Sequence, residues 1–320
     1  MKKTVVYEKF AKQRVDKFLK EEFFLDKKKT RGEIVRQIKD GNVLVDGKGI
    51  KPSHLLKQGE KVEFDMTEEV AGLAPNKNVK FGIISQDENM LVVDKPAGLQ
   101  VHPSSRNEKD TLVNGLLYRF PEISDVGDAP KTRPGIVHRL DRGTSGVMVV
   151  ARNQEIYSWL KKKFKEREMR KKYWAVVYGE PSPKGIIDAP LARAANYKKQ
   201  IIAGKKTRTK IRSAVTEYET LKTFQGMSLL EVFPRTGRTH QIRVHLTSIG
   251  HPIVGDEKYA RKQSVFKSDA ARLLLHAKSL TFEEAGKKYK FEAPLPDDFR
   301  VFLEKTGLLP EGLTLWNKLK

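Results

Sequence analysis

Residues 133–152 read RPGIVHRLDRGTSGVMVVAR. The stretch sets one carboxylate, Asp141, between Arg139 and Arg142. Pro134 and Gly135 precede it, Gly143, Thr144, Ser145 and Gly146 follow, and an apolar run starts at Val147. Gly and Pro punctuate turns, and a short apolar run bounded by turn signals is what a buried strand looks like. The reading is a tight loop that opens into a buried strand, with a charged side chain held at its mouth. Guanidinium groups beside a carboxylate favour its ionised form, which a nucleophile or base needs. A structural Asp–Arg pair that pins a loop has the same local sequence. The choice between them depends on partners elsewhere in the chain.

Working outward, the whole chain is strongly basic. Its 320 residues carry 62 Lys+Arg against 40 Asp+Glu, a formal charge of +22. Such an excess suits a polyanionic partner, because each phosphate contact releases counterions. A lysine-rich or thermophilic surface would produce the same number without such a partner. With no cysteine, disulfides and thiolate metal sites are excluded. No apolar run has membrane-spanning length, and MKKTVVYEKF has no signal-peptide core, so no membrane partner and a cytoplasmic location are expected.

Residues 1–65 read as a small module. Val15, Phe18, Leu19 and Phe23 recur at helical spacing. Thr30 and Glu33 form a capping-box pattern for a second helix that carries Ile34 and Ile38 and ends near Gly41. Val43 and Val45 alternate as a strand, Asp46-Gly47 is a turn, and Val62 and Phe64 mark another strand. The candidate RNA-contacting residues are Lys27, Lys28, Lys29, Arg31, Arg36 and Lys39, although a solvated helix face has the same composition. The module holds 17 basic and 11 acidic residues, so most of the charge excess lies beyond it. Residues 66–80 have few bulky apolar side chains and read as a linker, with a second domain over 81–320.

In that domain 90–93 is a compact apolar strand, and Gly98 permits a turn. Asp110 is placed to cap a helix with Leu112, Leu116 and Leu117 inward, and Asn153 another with Ile156, Leu160 and Phe164 inward. Residues 173–178 form a strand ended by Gly179. The segment 181–212, rich in Pro, Gly and Lys, reads as a basic loop or loose hairpin. Strands follow at 213–221 and 228–233. In 234–259 the apolar spacing favours a helix capped by Thr239, with Arg243 off its apolar stripe. Further strands fall at 273–275 and 280–282, and a last helix lies near 296–305.

Several chemistries lack their residues. The histidines are scattered, His240 and His245 are five apart, and no H-E-x-x-H occurs, so no metal is expected. No phosphate-binding P-loop, dinucleotide fingerprint or G-x-S-x-G elbow is present, and no cofactor is expected. Tyr173, at the head of its strand, could stack on a planar substrate or simply be a half-buried strand tyrosine.

Taken together, the stretches resemble one family. HRLDRGTSGVMVVA (138–151) resembles the defining motif of the RluA family of pseudouridine synthases. RTGRTHQIRVHL (235–246) with HPIVGDEKY resembles its later motif, DENMLVVDKPAGLQVHPS (87–104) its first catalytic segment, and KKYWAVVYG (171–179) its tyrosine strand. RVDKFL and TRGEIVRQIKDGNVLVDG, within about 12–65, resemble the alpha-L RNA-binding module named after a small-subunit ribosomal protein. This combination points to the RluD-like, large-subunit ribosomal RNA branch. The resemblance implies an α+β fold with a largely antiparallel mixed sheet flanked by helices and loops, plus a small N-terminal α/β module. It implies an isomerase acting on RNA as a monomer, on ribosomal RNA or a pre-ribosomal particle. Asp141 matches the catalytic aspartate and Arg139 the arginine that fills the gap left by a flipped nucleotide. Tyr173 matches the tyrosine that packs on the target base and assists late proton removal, and Arg243 the arginine paired with the aspartate. The competing expectation is a non-catalytic RNA-binding ribosome-assembly protein, in which Asp141 and Arg243 only brace the fold.

Overall fold

The computed structural model describes residues 3–23, 31–64, 73–104, 108–195, 199–260, 270–284 and 286–311. Internal contacts divide the chain into two units, Met1–Ala71 and Gly72–Lys320.

The first unit contains β1 (Lys3–Val6), β2 (Gln13–Arg14), α1 (Val15–Phe23), α2 (Arg31–Lys39), β3 (Val43–Val45), β4 (Lys48–Gly49), β5 (Leu55–Leu56) and β6 (Lys61–Phe64). Its main sheet runs β1-β6-β3-β4. The helical stripe read from the sequence closes the core: Val15, Phe18, Leu19, Ile34 and Ile38 pack with Val43, Val45, Val62 and Phe64. Gly41, at φ +80, ends α2, and the Asn42 N–H returns to the Gln37 carbonyl at 3.0 Å. Thr30, the expected cap, lies outside the described residues, as do Lys27, Lys28 and Lys29.

The second unit follows as β7 (Gly82–Gln86), β8 (Met90–Lys95), α3 (Leu112–Arg119), β9 (Ser145–Ala151), α4 (Gln154–Glu166), β10 (Arg170–Tyr178), β11 (Lys184–Asp188), β12 (Leu191–Arg193) and β13 (Gln200–Ile202). It ends with β14 (Val215–Phe224), β15 (Met227–Pro234), α5 (Gln241–Ser248), β16 (Leu275–Glu284), β17 (Lys287–Glu292) and α6 (Asp297–Lys305). One nine-stranded sheet runs β11-β14-β15-β10-β16-β9-β8-β7, with β17 also paired to β16. Its pairs are antiparallel except β16 with β9.

Burial on both faces explains the unbroken apolar run of β10. Tyr173, Ala175 and Val177 pack with Ile242 and Leu246 of α5. Trp174, Val176 and Tyr178 pack with Phe299 and Leu303 of α6 on the other face. A strand covered on both sides shows no alternation in its sequence. The parallel contact is short, His276↔Ser145 and Ala277↔Gly146. Gly146 is required there: at φ +117, a Cβ would lie 2.2 Å from the Ala277 carbonyl oxygen.

Several boundaries differ from the sequence expectation. Thr111, not Asp110, caps α3: its N–H and its hydroxyl both donate to Asn114 Oδ1, at 3.2 and 2.5 Å. Asp110 instead accepts from Asn76 Nδ2 at 2.7 Å. Asn153 caps α4 as expected, accepting from the Ile156 N–H at 2.9 Å. The described part of the expected linker, 73–80, packs on the large unit. Leu73 joins its core, Asn76 N–H donates to the Asn114 carbonyl at 2.9 Å, and Asn114 Nδ2 donates to the Ala74 carbonyl at 2.8 Å. The segment 181–212, expected as a basic loop or loose hairpin, holds β11 and the antiparallel pair β12–β13, with Ile187, Leu191 and Ala192 buried among its lysines. The separate apolar segments 273–275 and 280–282 are bridged by one long strand, β16.

Candidate active site

Asp141 sits in the turn just before β9. Leu140, 3 % exposed, anchors the turn from one side, and the Thr144 N–H closes it on the Asp141 carbonyl at 3.0 Å. The turn is fastened to a second turn at Gly98, whose φ is +85. Gly98 N–H donates to the Arg142 carbonyl at 2.8 Å, and Arg142 Nε donates back to the Gly98 carbonyl at 2.9 Å. Arg142, which had no function in the sequence, is therefore a brace. Lys95 reinforces it from beneath. It is fully buried, and its Nζ donates to the carbonyls of Pro96 (2.8 Å), Leu99 (2.7 Å) and Arg142 (3.3 Å). Burial pushes this amine down to about 7, while three carbonyl acceptors match the three N–H bonds of the charged form and oppose that shift.

Arg243 reaches Asp141 from α5. Its Nη1 donates to Asp141 Oδ2 at 3.1 Å, across 102 positions of sequence. The same guanidinium forks onto Asp256, with Nε to Oδ2 at 2.7 Å and Nη2 to Oδ1 at 2.9 Å. Asp256 is 3 % exposed and also accepts the backbone N–H of Lys258 and of Tyr259 at Oδ1. Burial alone would lower the arginine's pKa, but Asp256 and then Asp141 raise it above its ordinary value. Arg243, off the apolar stripe of α5, is nonetheless buried. The residues from Gln241 to Leu246 are all buried, because β14, β15 and β13 surround the helix. Thr239 is likewise not the cap: His240 is, in the left-handed conformation at φ 55.

Tyr173 joins the same cavity from β10, where the register with β16 slips between Lys172 and Tyr173. Such a bulge re-aims a side chain beside a site. Burial first, and the charge of Asp141 second, push its phenol above the ordinary tyrosine range. The cavity has a volume of about 550 Å³. Its lining includes Arg139, Lys165, Arg167, Lys171 and Arg238, and Asp141 is the only acid among the described residues that line it. Lys171 donates to the Thr236 carbonyl at 3.1 Å, and burial, then Arg167 and Arg238, lower it to about 8.

Arg139 is exposed at the rim, with Nη1 3.2 Å from His102 Nε2. A guanidinium only donates, so His102 accepts there. In the N-terminal unit Arg36 and Lys39 are exposed on α2. Arg31 is engaged inside that unit: with Arg14 it holds the buried Asp16, at 2.9 and 3.0 Å. Asp256, His240, Lys95 and Tyr259 were not assigned from sequence. Asp256, His240 and Tyr259 lie inside the quoted later motif, but nothing local marks a second carboxylate for Arg243.

Burial keeps several histidines neutral. His138, of the HRLD stretch, accepts the Val149 N–H at 3.0 Å and stacks on Phe164 at 4.5 Å. Burial lowers it to about 3, and lowers His102 to about 4 and His276 to about 3. Each binds its proton only in the unfolded chain between roughly pH 6.5 and its folded value, so stability rises with pH across that window and is lost on acidification. At pH 5.5 unfolding should take up about one proton fewer in His138→Gln than in the wild type, measured as proton uptake on urea unfolding. An unchanged uptake would show that His138 is not held neutral. No group of three or more His, Cys, Asp or Glu able to hold a metal ion occurs among the described residues. Nor does any described helix have the length and apolarity to cross a membrane.

The chain is similar to known proteins over most of its length. A family model described as RNA pseudouridylate synthase matches residues 89–248, and an S4 domain model matches residues 13–62. The ribosomal large subunit pseudouridine synthase D of Pseudomonas aeruginosa is 36 % identical over 285 residues, covering 84 % of this chain and 85 % of that one. An uncharacterized RNA pseudouridine synthase of Aquifex aeolicus is 38 % identical over 294 residues, covering 91 % and 89 %. Among solved structures, human RNA pseudouridylate synthase domain containing 4 superposes with a TM-score of 0.58 at 28 % identity, covering 72 % of this chain and 94 % of that one.

Proposed function

Because the chain belongs to the RNA pseudouridylate synthase family, we propose that it isomerises specific uridines of large-subunit ribosomal RNA, with Asp141 as the catalytic carboxylate. The observation that carries this reading is a lone acid, among the described residues, in a cavity whose other charged groups are all cations. The cations suit the phosphates of a polyanion. A single carboxylate lacks the partner that paired acid–base hydrolysis of a glycosidic bond needs. It suits a reaction in which the sugar is released from nitrogen and recaptured by carbon of the same base, with no water consumed.

A target uridine must leave its stack to reach Asp141, at a cost of roughly a few kcal/mol. Arg139, at the rim, is proposed to occupy the space it leaves. Tyr173 forms a flat wall for the base, and its raised pKa keeps the phenol protonated at neutral pH. Arg243 holds the Asp141 carboxylate by its hydrogen bond at the cavity. Arg36 and Lys39 on α2, with Lys27, Lys28 and Lys29, are proposed RNA contacts of the N-terminal S4-like module. Asp141, Tyr173 and Arg243 come from one chain, which supports a monomer as the working unit. A ribosomal RNA substrate supports the cytoplasm as its location.

The test uses large-subunit ribosomal RNA carrying tritium at uracil C5. Isomerisation moves the sugar to that carbon and must expel its hydrogen, so tritium release and newly mapped pseudouridines are expected together. Release should decline as salt rises, following the phosphate contacts. If no uridine of that RNA is converted, as naked RNA or as pre-ribosomal particle, the assigned substrate is wrong.

A further inference from the structure

A hydrogen-bond chain leads from β13 into the cavity, and one direction along it pairs every protein donor with a protein acceptor. The Gln200 backbone N–H donates to the Tyr259 hydroxyl oxygen at 3.0 Å. An amide N–H cannot accept, so the tyrosine oxygen is the acceptor in that bond. The phenol then has one proton to give, and His240 Nδ1 lies 2.8 Å away. Donation to Nδ1 satisfies the phenol; a protonated Nδ1 would leave the phenol proton without an acceptor among the described residues. A neutral imidazole accepting at Nδ1 carries its proton on Nε2. Burial holds this ring neutral, lowering it to about 4.

Nε2 points toward the reacting carboxylate. It lies 3.9 Å from Asp141 Oδ2, too far for a direct hydrogen bond, and both residues line the cavity. The backbone holds His240 there at φ 55, a conformation that non-glycine residues adopt uncommonly and that clusters at functional sites. The Tyr259 ring is itself fixed, edge-on to His240 at 5.6 Å and beneath the Arg243 guanidinium at 5.1 Å. A rigid neutral donor beside the carboxylate, with no acceptor within hydrogen-bond distance among the described residues, is arranged for an oxygen that arrives with the substrate.

We propose that His240 Nε2–H is a catalytic hydrogen-bond donor to a carbonyl oxygen of the extruded uracil, and that Tyr259, held by Gln200, is the positioning residue that sets its tautomer. The inference rests on the pseudouridine synthase reading above. When the C1′–N1 bond breaks, its electron pair stays on uracil, and the negative charge spreads to the carbonyl oxygens. The C1′–C5 bond then forms from an electron pair of the ring. The C5 hydrogen leaves as a proton and N1 gains one, so the composition is unchanged. A preorganised N–H stabilises that developing charge without reorganisation. Because the ring is neutral it keeps its proton, whereas an imidazolium could protonate the detached base and strand it as free uracil. The β12–β13 hairpin thereby gains a function: it supplies the amide that fixes the donor.

Two variants test this. In His240→Ala the single-turnover rate should fall about 10²-fold, with RNA affinity within about threefold of the wild type. Tyr259→Phe keeps the ring beneath Arg243 and removes only the hydroxyl. Its single-turnover rate should fall about fivefold to tenfold. The ¹⁵N spectrum of its imidazoles should show His240 passing from one Nε2–H tautomer to a mixture. Tyr259 acting only as packing would leave that spectrum unmoved. Rates within about threefold of wild type in both variants, or an Nδ1–H tautomer in the wild type, would overturn the inference while Asp141→Asn stays inactive. Activity surviving in Asp141→Asn would instead overturn the reading on which it rests.

Discussion

Asp141→Asn is expected to abolish pseudouridine formation, by on the order of 10³-fold or more, while RNA affinity stays within about twofold. The structure separates these two outcomes. Asparagine fills the same volume, and the turn around it is held by other groups: the Thr144 N–H, the Gly98–Arg142 pair and the Lys95 ammonium. The Asp256 fork keeps Arg243 in place when Asp141 loses its charge. The cations of the cavity wall are untouched, so the phosphate contacts that dominate affinity persist. Only the charged oxygen facing the substrate is lost. Tritium release in single turnover, beside filter binding of the same RNA, measures both. Product formation at an unchanged rate would favour the competing assembly-factor reading.

Arg243→Met should have the second large effect, and on two properties at once. It leaves the Asp256 carboxylate, whose side chain is fully buried, with two backbone N–H donors and no paired cation among the described residues. Removing one member of a buried ion pair costs about 3–5 kcal/mol, read as a shift in urea midpoint. Asp141 loses its partner in the same step, so catalysis should collapse as in Asp141→Asn. The double variant Arg243→Met with Asp256→Leu removes both buried charges and should recover most of the stability. It should remain inactive, because Asp141 still lacks its guanidinium. An active double variant would make Arg243 a brace only. A single variant as stable as the wild type would show that the Asp256 fork contributes little.

Much of the local structure was visible in the sequence for physical reasons. The α4 cap at Asn153 and the stripe of α1 follow from hydrogen bonding and helical period, which neighbouring residues carry between them. The errors arose where a distant group supplied the deciding contact. Asp110 resembles an N-cap, yet Asn76 draws it away and Thr111 takes its place. Arg31 lies exposed on the basic helix face, but its bond to the buried Asp16, 15 positions away, has no local signal. Segment 181–212 reads as a basic loop or loose hairpin, and only the fold shows that its few apolar residues also join the sheet edge and α5.

The same division runs through the site. The sequence by itself determined a basic chain with a carboxylate between two arginines on a turn before a buried strand. Turn residues, charge and apolar runs are local quantities, and the motifs around Asp141, Tyr173 and Arg243 carried their own family resemblance. Tertiary structure decided what those residues meet. Arg243 reaches Asp141 across 102 positions and divides its guanidinium between two carboxylates. The parallel junction of β9 with β16, possible only because Gly146 lacks a side chain, brings the Asp141 turn to the edge of the cavity. The proton on His240 is set by an amide in β13, 40 positions away in the chain, through a tyrosine. Hydrogen-bond direction and burial depend on which atoms meet in space, and no local pattern in the sequence encodes them.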